Sequence, residues 1–470
     1  MTAVLADPEM EIGGISYDSR TTKAGDLFVA VAGEKENGSR FIPQARANGA
    51  VCIVCESAVC EEIPCVVVPD CRRALAELSA ALFGNPGKEL TLVGVTGTNG
   101  KTTTTYLIKR ILEQKKGAKV GLIGTIHNEV GQEIMPAERT TPESYELQHL
   151  LRQMADAGCT HVVMEVSSHA LALERVWGLR FAVALFTNLT QDHLDFHGTM
   201  ENYCAAKGKL FSQCDLAVYN QDDPWVQRLL KDSTCHRVSY GVQSVADMQA
   251  TEVSLQRAHV SYVLRGERKV PVCVAIPGIF SVYNSLAAIA VCRNLGVTPE
   301  DCAAVLQHDN GAKGRMEVVP VPGKPYTVLI DYAHTPDAMD NVLRAVRGFA
   351  KGRTVAVFGC GGDRDRTKRP QMGAIAVRLA DFVVVTTDNP RTEEPMRIIG
   401  DILQGMRDTA TPYTVIENRM EAIRWALAHG QKDDVIVLCG KGHEDYQEIG
   451  TQKCHLDERE IIASFLAESP

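Results

Sequence analysis

A chain of 470 residues, 45% hydrophobic and 23% charged, can bury large cores, and at roughly 150 residues per domain its length suggests three domains. That balance excludes a disordered chain, a coiled coil and a collagen-like repeat. The formal charge of −9 (49 Lys and Arg against 58 Asp and Glu) gives no overall basic footprint for nucleic acid, and no run of 18 apolar residues could span a membrane.

Residues 1–14 carry acids in place of Lys or Arg and lack a long apolar core, so no signal peptide is read there and a cytoplasmic protein is expected. Residues 1–88 alternate short apolar runs with loops and end at the turn Gly84-Asn85-Pro86-Gly87, which fits a small α/β domain. Within them Cys52 and Cys55 form a C-x-x-C around Ile53 and Val54. A buried strand with alternating faces explains the pair, because no second close pair completes four zinc ligands. The fifteen cysteines are expected as reduced core thiols.

Residues 89–312 alternate strand-like runs with helical patterns. A strand at 92–95 precedes a helix with Leu107, Ile108, Ile111 and Leu112 on one face, closed by Gly117. A strand follows at 120–123. A second helix then aligns Leu147, Leu150, Leu151 and Met154, ends at Gly158 and leads to a strand at 161–166. Such alternation predicts a mostly parallel sheet covered on both faces. Val253, Leu255, Val260, Tyr262 and Leu264 change to period two, with a turn at Arg265-Gly266, and predict a small antiparallel insertion. Residues 313–470 return to the parallel α/β pattern, with strands at 327–330, 354–358, 382–385 and 435–438. The expected fold is α/β in three domains: a small first one, a central P-loop sheet and a C-terminal Rossmann-like one.

The sharpest local signal is Gly94-Val-Thr-Gly97-Thr98-Asn99-Gly100-Lys101-Thr102, lying between a strand and a helix. Glycines let backbone N–H groups approach phosphate, and the helix N-terminus adds positive charge. Lys101 can reach the outer phosphates and the Thr102 hydroxyl can ligate Mg²⁺. Glu165, near the end of one strand, and the Asp192-His193 segment after another belong at the same edge of the sheet, since ligands bind at the carboxyl ends of parallel strands. Glu165 offers an oxygen and His193 an imidazole to a divalent cation beside ATP. Taken singly, Glu165 reads equally as a salt-bridge residue and His193 as a capping or core histidine.

The segments TGTNGKT (96–102), EVSSH (165–169), TNLTQDHLD (187–195) and YCAAKGKLF (203–211) together resemble the ATP-dependent Mur ligases of bacterial cell-wall synthesis. That family joins an amino acid to a UDP-linked muramoyl peptide and binds UDP-substrate, ATP and amino acid on three successive domains. The resemblance covers nearly the whole chain. It implies ATP contacts from Gly97, Thr98, Asn99, Gly100, Lys101, Thr102 and Thr103, with Asn284 of the G-x-F-x-x-x-N segment near the base. It also implies that Lys207 of Y-x-x-A-K is carbamylated by CO₂, replacing a cation with a two-oxygen anion suited to a second Mg²⁺; the metal set is then Thr102, Glu165, His193 and Lys207. Composition alone does not separate Lys207 from Lys209.

Gly314-Arg315-Met316-Glu317 matches the hinge into the last domain, with Arg315 turned to the transferring phosphate. Asp331 matches a ribose-contacting acid, although its position fits a helix N-cap equally well. Lys101, Lys207, His193 and Arg315 are the implied catalytic set. The UDP-substrate contacts are Tyr17 and Ser19, then Thr140, Thr141, Ser167 and Arg175, whereas Arg139, Leu173 and Gly33-Glu34-Lys35-Glu36 depart from relatives.

Asp388, Asn389, Pro390 and Arg391 resemble the motif of the members that add meso-diaminopimelate, which is lysine with a second carboxylate. A guanidinium pairs that carboxylate in bidentate fashion, making Arg391 the discriminator, while Arg364, Gly440 and Glu444 are implied to hold the amino acid. The expected partners are therefore ATP, two Mg²⁺, UDP-MurNAc-L-Ala-D-Glu and meso-diaminopimelate, acting on a monomer. Alternatives are a lysine-adding ligase, a folylpolyglutamate synthase-like ligase and a P-loop ATPase. No residue is nominated as the base for the incoming amine.

Overall fold

The computed structural model describes every residue except 1, 2, 6, 8, 34–36, 58–62, 257, 258, 310, 408, 469 and 470. Three sheets follow one another along the chain, and a two-stranded hairpin (Tyr446–Ile449, Gln452–His455) completes the described strands. The α/β fold class expected from the alternating runs is the one observed.

The first sheet has five strands. Gly14–Ser16, Asp26–Val29, Cys52–Cys55 and Cys65–Val67 run parallel, and Ala3–Leu5 pairs antiparallel at one edge. Successive residues of Cys52–Cys55 point to opposite faces. Cys52 and Val54 pack with Leu27, Val29 and Leu75, whereas Ile53 and Cys55 pack with Phe28 and Ala45. Burial raises both thiols, that of Cys55 to about 11, so they are protonated core groups.

The central sheet has eleven strands. Its parallel body runs Met248–Leu255, His236–Gly241, Cys214–Asn220, Phe181–Phe186, Thr91–Thr96, His161–Glu165 and Val120–Ile123. Both faces are covered, and each strand feeds two cores. Val93 and Val163 pack on the side of helix Lys101–Lys116, while Leu92, Val162 and Met164 pack on the side of helix Ser144–Asp156. The first helix buries Leu107, Ile108, Ile111 and Leu112 and stops at Gly117, whose φ of 63° suits glycine. The second buries Leu147, Leu150, Leu151 and Met154, the stripe expected.

The period-two residues do form antiparallel strands, Val260–Arg265 and Lys269–Val274. They extend the central sheet, because Met248–Leu255 pairs parallel with His236–Gly241 and carries them as the sheet's outer edge. A second antiparallel pair, His127–Val130 and Glu133–Pro136, caps the opposite edge.

The third sheet has six strands: Glu317–Val319 antiparallel at one edge, then Thr327–Asp331, Val435–Cys439, Thr354–Phe358, Phe382–Val385 and Tyr413–Val415 in parallel. Among the described residues no helix is long and apolar enough to cross a membrane.

Candidate active site

The loop after Thr91–Thr96 turns into helix Lys101–Lys116 through glycines at positive φ, 148° at Gly97 and 84° at Gly100. A Cβ on Gly97 would overlap the Thr187 hydroxyl, and one on Gly100 would overlap Asn284 Oδ1. Glycine is thus required by close approach as well as by conformation. Asn188 grips the same loop, its Oδ1 accepting from Asn99 N at 3.0 Å and its Nδ2 donating to Asn99 O at 3.1 Å. The Thr98 hydroxyl lies 3.1 Å from Tyr203 Oη.

Lys101 folds back over this loop and donates to Gly97 O (2.9 Å) and Thr98 O (2.8 Å). Burial depresses its pKa and Arg315 adds to the effect, against the attraction of Glu165 and Asp192. The Thr102 hydroxyl donates to Glu165 Oε1 at 2.9 Å. Thr125 supplies two more donors, its N–H to Oε1 (2.9 Å) and its hydroxyl to Oε2 (3.1 Å). Glu165 is 1% exposed and has no cationic partner among the ion pairs of the described residues, so the salt-bridge alternative does not describe it.

Lys207 lies on helix Met200–Gly208, begun by the Thr199 cap. Its side chain is 1% exposed, donates to Gly97 O at 2.8 Å and rests over the Tyr203 ring. Burial, with Lys101 next, drives its pKa well down, which favours the neutral amine. Lys209 differs in kind: it is open to solvent and bound to Glu174 at 2.8 Å. His193 stands at φ 53° with Asp192 beside it and its ring edge-on to His169. Burial lowers its pKa, so the imidazole is neutral and able to ligate.

Among the described residues no three His, Cys, Asp or Glu side chains cluster as a ready-made metal cage. The donor chemistry nevertheless fits Mg²⁺ held jointly with nucleotide phosphate. That ion takes hard oxygen ligands and normally completes its shell with phosphate and water. Thr102 and Glu165 meet where the phosphate loop enters its helix, and Lys207 reaches Gly97 O of the same loop, with His193 near Lys101 and Lys207.

A cleft of about 500 Å³ opens beside the loop, between the central and third sheets. Asn99, Asn284, Tyr240 and Tyr283 line one wall, and Arg315, Asp331 and Asn341 the other. A smaller pocket of about 140 Å³ joins Thr98, Thr103, Thr140 and Glu165 to Arg315. The Arg315 guanidinium lies over the Tyr332 ring, and its buried Nε has no hydrogen-bond partner among the described residues. Asp331 accepts from Met316 N and Ala333 N, both at 2.8 Å; Thr335, not Asp331, caps the next helix. The N-cap alternative for Asp331 is therefore replaced by a buried acid that pins the hinge residue Met316 and lines the cleft.

Four of the residues matched to the UDP-substrate come together. Thr141 Oγ1 donates to Glu165 O (2.9 Å) and contacts Ser167, Thr140 Oγ1 meets Thr125 Oγ1 at 3.0 Å, and Arg175 donates to Thr141 O at 3.1 Å. Arg175 also pairs with Glu143. Tyr17 reaches across to Glu146 at 2.8 Å, joining the first sheet to helix Ser144–Asp156. Ser19 is buried and donates to Gln44 at 2.9 Å, so its hydroxyl serves the first domain internally. Of the departing segment, 34–36 lie outside the described residues.

In the third sheet Arg391 adopts φ 51°, forms an ion pair with Glu448 through Nε at 2.8 Å and donates through a terminal nitrogen to Gly362 O at 2.8 Å. Its guanidinium is therefore already oriented by one carboxylate and one carbonyl. Asn389 Nδ2 donates to Glu444 Oε2 at 3.0 Å, and the fully buried Lys441 donates to both Asn389 Oδ1 (2.7 Å) and Glu444 Oε2 (2.8 Å). Gly440, at φ 114°, leaves room for Asp388 Oδ2, which is buried and has no partner among the described residues. Pro390 packs against Gly362, and Arg364 is exposed with only a 3.5 Å contact to Asp363 O.

The family models match in the same order as the sheets: Mur ligase family, catalytic domain, over residues 11–82; Mur ligase middle domain over 95–292; Mur ligase, glutamate ligase domain, over 314–442. A UDP-N-acetylmuramoyl-L-alanyl-D-glutamate--2,6-diaminopimelate ligase from Caldanaerobacter subterraneus subsp. tengcongensis is 46% identical over 99% of this chain and 97% of its own. The chain belongs to the Mur ligase family.

A solved structure carrying that same ligase name superposes with a TM-score of 0.72 at 31% identity, covering 97% of this chain and 95% of the other. The folylpolyglutamate synthase of Thermotoga maritima shares the fold at 16% identity and TM-score 0.61, over 78% of this chain and 90% of its own. Against this Mur ligase frame, the sequence reading missed several residues of the site. Thr125 binds Glu165, Lys441 and Glu448 organise Asn389, Glu444 and Arg391, and Tyr332 carries Arg315. Lys441 was visible as part of Gly440-Lys-Gly-His-Glu444. Thr125 and Glu448 give no local signal, because both act through contacts far along the chain. The buried Arg369 was also missed; it binds Glu393 and Asp401 and so ties the 361–363 and 390–393 loops together.

Proposed function

We propose that this Mur ligase uses ATP to add meso-2,6-diaminopimelate to UDP-N-acetylmuramoyl-L-alanyl-D-glutamate, in cytoplasmic synthesis of the peptidoglycan precursor. The observation that carries the reading is the 46% identity, over 99% of this chain, to a ligase named for diaminopimelate; the Asp388–Arg391 loop supports it, with Arg391 paired to Glu448 and Asn389 bound to Glu444. Lys101, Thr102 and Arg315 surround the place for the outer phosphates. The γ-carboxylate of D-glutamate attacks the γ-phosphorus and ADP leaves, giving an acyl phosphate. The diaminopimelate amine attacks the activated carbonyl, inorganic phosphate departs, and the amine proton passes to solvent or a base. The protein contributes positioning and cationic stabilisation, with no covalent step on a side chain.

Thr102, Glu165, His193 and Lys207 are the residues that would hold two Mg²⁺, whose charge would offset the phosphate oxygens as they react. The neutral, buried Lys207 amine is suited to carbamylation: its nitrogen adds to the carbon of CO₂, loses a proton and becomes an anion. Arg391, with Arg364 at the mouth, presents cationic donors to the distal carboxylate of diaminopimelate. Glu444, with one oxygen taken up by Lys441 and Asn389, offers its other oxygen to an ammonium. Lysine would present no distal carboxylate to Arg391. The deciding experiment measures phosphate release and product mass with ATP, Mg²⁺ and the UDP-muramoyl dipeptide. Separate reactions contain meso-diaminopimelate, L-lysine or no amino acid. Product with diaminopimelate alone is expected; product with lysine would overturn the assigned specificity, and phosphate without product would mark an ATPase.

A further inference from the structure

One wall of the nucleotide cleft rests on a carboxylate that none of the recognised motifs includes. Just past strand Cys214–Asn220, the Asp222 carboxylate gathers four donors from two other elements. Its Oδ2 accepts from Val242 N (2.7 Å), Gln243 N (2.9 Å) and Tyr283 Oη (2.8 Å), and its Oδ1 accepts from Ser244 N (2.7 Å). The first three donors on the backbone belong to the turn leaving strand His236–Gly241, and Tyr283 belongs to helix Ile279–Asn294. Gly241 lets this turn come close, since a Cβ there would stand 3.2 Å from Asp222 Oδ1.

Burial pushes the Asp222 carboxyl up, yet the donors outweigh it and hold the group at about 2, so it is an anion throughout the working range. None of the ion pairs among the described residues includes Asp222, so its charge is committed to neutral donors. The carboxylate fixes one group of the cleft, Tyr283, and the backbone N–H of Asp222 meets a second, Asn220. Tyr283 lines it directly, next to Asn284, which touches Gly100 of the phosphate loop. Asn220 lines it too, accepting from Asp222 N at 3.1 Å and donating to Thr187 O at 2.9 Å.

We infer that Asp222 is a positioning residue for ATP, its carboxylate holding the Tyr283 ring as the part of the cleft wall that receives the adenine. This rests on reading the cleft as the ATP site. Rings are held most firmly when their polar end is anchored, and a charged acceptor anchors a phenol more strongly than a neutral one. The effect belongs in nucleotide binding, since Tyr283 lines the cleft and not the phosphate pocket.

The test is a double-mutant cycle in the full ligase assay, with Asp222→Asn, Tyr283→Phe and the two combined. Asp222→Asn is expected to raise KM for ATP about tenfold, the scale of losing one charge-assisted hydrogen bond. Tyr283→Phe should raise it about three- to fivefold, and the double variant should be no worse than Asp222→Asn, because one acts through the other. In all three kcat should stay within about twofold, and KM for diaminopimelate should not move. A rise in every KM together, or additive effects in the cycle, would overturn the inference in favour of a merely structural carboxylate. If Asp222→Asn does not fold, an unchanged KM for ATP in Tyr283→Phe overturns it alone. Lys101→Met separates the underlying reading: retained ATP turnover in that variant would show that the cleft itself is misassigned.

Discussion

At the scale of single residues, burial decides what a charged side chain can do. Lys207 and Lys209 are two positions apart on one turn, yet one is sealed against Gly97 O and the other is solvated beside Glu174. Burial, with Lys101 next, pushes the first toward the neutral amine that the proposed carbamylation needs. Lys207→Ala should cut turnover by about a hundredfold or more, on the scale of a lost charge-stabilising group, with no recovery in high bicarbonate. Near-normal turnover would rule out the carbamate. Arg391 is the residue proposed to carry the amino-acid preference. Arg391→Ala should lower kcat/KM for diaminopimelate by about 30- to several-thousand-fold while KM for ATP holds; matched losses in both would count against a selectivity role. The buried His197, hydrogen-bonded to Ser168 at 2.9 Å, is a further case. Burial is the leading cause that lowers its pKa to about 4. Between pH 6.5 and 4 the unfolded chain therefore binds the proton that the folded one refuses, and stability falls as pH drops through that window. Unfolding free energies from urea titration at pH 7.5 and 5 should differ by on the order of 1–2 kcal/mol from this group, and His197→Gln should narrow the difference.

At the scale of elements, the strand-loop-helix units were legible because their signals are local. The run at 92–95, the glycines after it and the 107/108/111/112 stripe lie within a few turns of chain, and the structure extends the strand by only one residue at each end. The loop they make is intolerant of a side chain. Gly97→Ala would drive a Cβ into the Thr187 hydroxyl at a φ of 148°, so ATP-dependent product formation should fall about a hundredfold in a protein whose circular dichroism is unchanged. A normal KM for ATP in that variant would contradict the loop's role. The edge pairs at 127–136 and 446–455 escaped because their strands are short and polar. Glu133–Pro136 and Gln452–His455 are largely exposed, so no apolar alternation marks them. The 446–449 strand nonetheless matters, since it brings Glu448 to Arg391.

At the scale of the whole molecule, the site exists only because sheets from distant parts of the chain face one another across the cleft. Arg315, at the crossing between the central and third sheets, is the contact on which that arrangement converges: it lines the cleft and the phosphate pocket together. ATP with Mg²⁺ at about a hundred times Kd should stabilise the native protein by about 2.7 kcal/mol. Arg315→Ala should lower kcat by about a hundredfold or more and shrink the ATP-induced rise in melting temperature. An undiminished rise would show that the third domain does not help to hold the nucleotide.

What the sequence by itself determined is what short-range pattern can encode: the α/β class, the phosphate loop, the parallel strands of the central and third sheets, and through its motifs the family. Carboxylates and cations at the ends of parallel strands could be assigned to one edge, because that topology leaves few other places for them. Tertiary structure alone decided which of those groups are free and which are already engaged. Asp331 turned out to pin Met316 instead of capping a helix, Ser19 to be spent on Gln44, and Glu444 to share one oxygen between Lys441 and Asn389. It also decided that Asp222 gathers its four donors from segments 20 and 61 positions away. Hydrogen bonds and burial depend on contacts between residues far apart in sequence, and those contacts have no local period for the sequence to display.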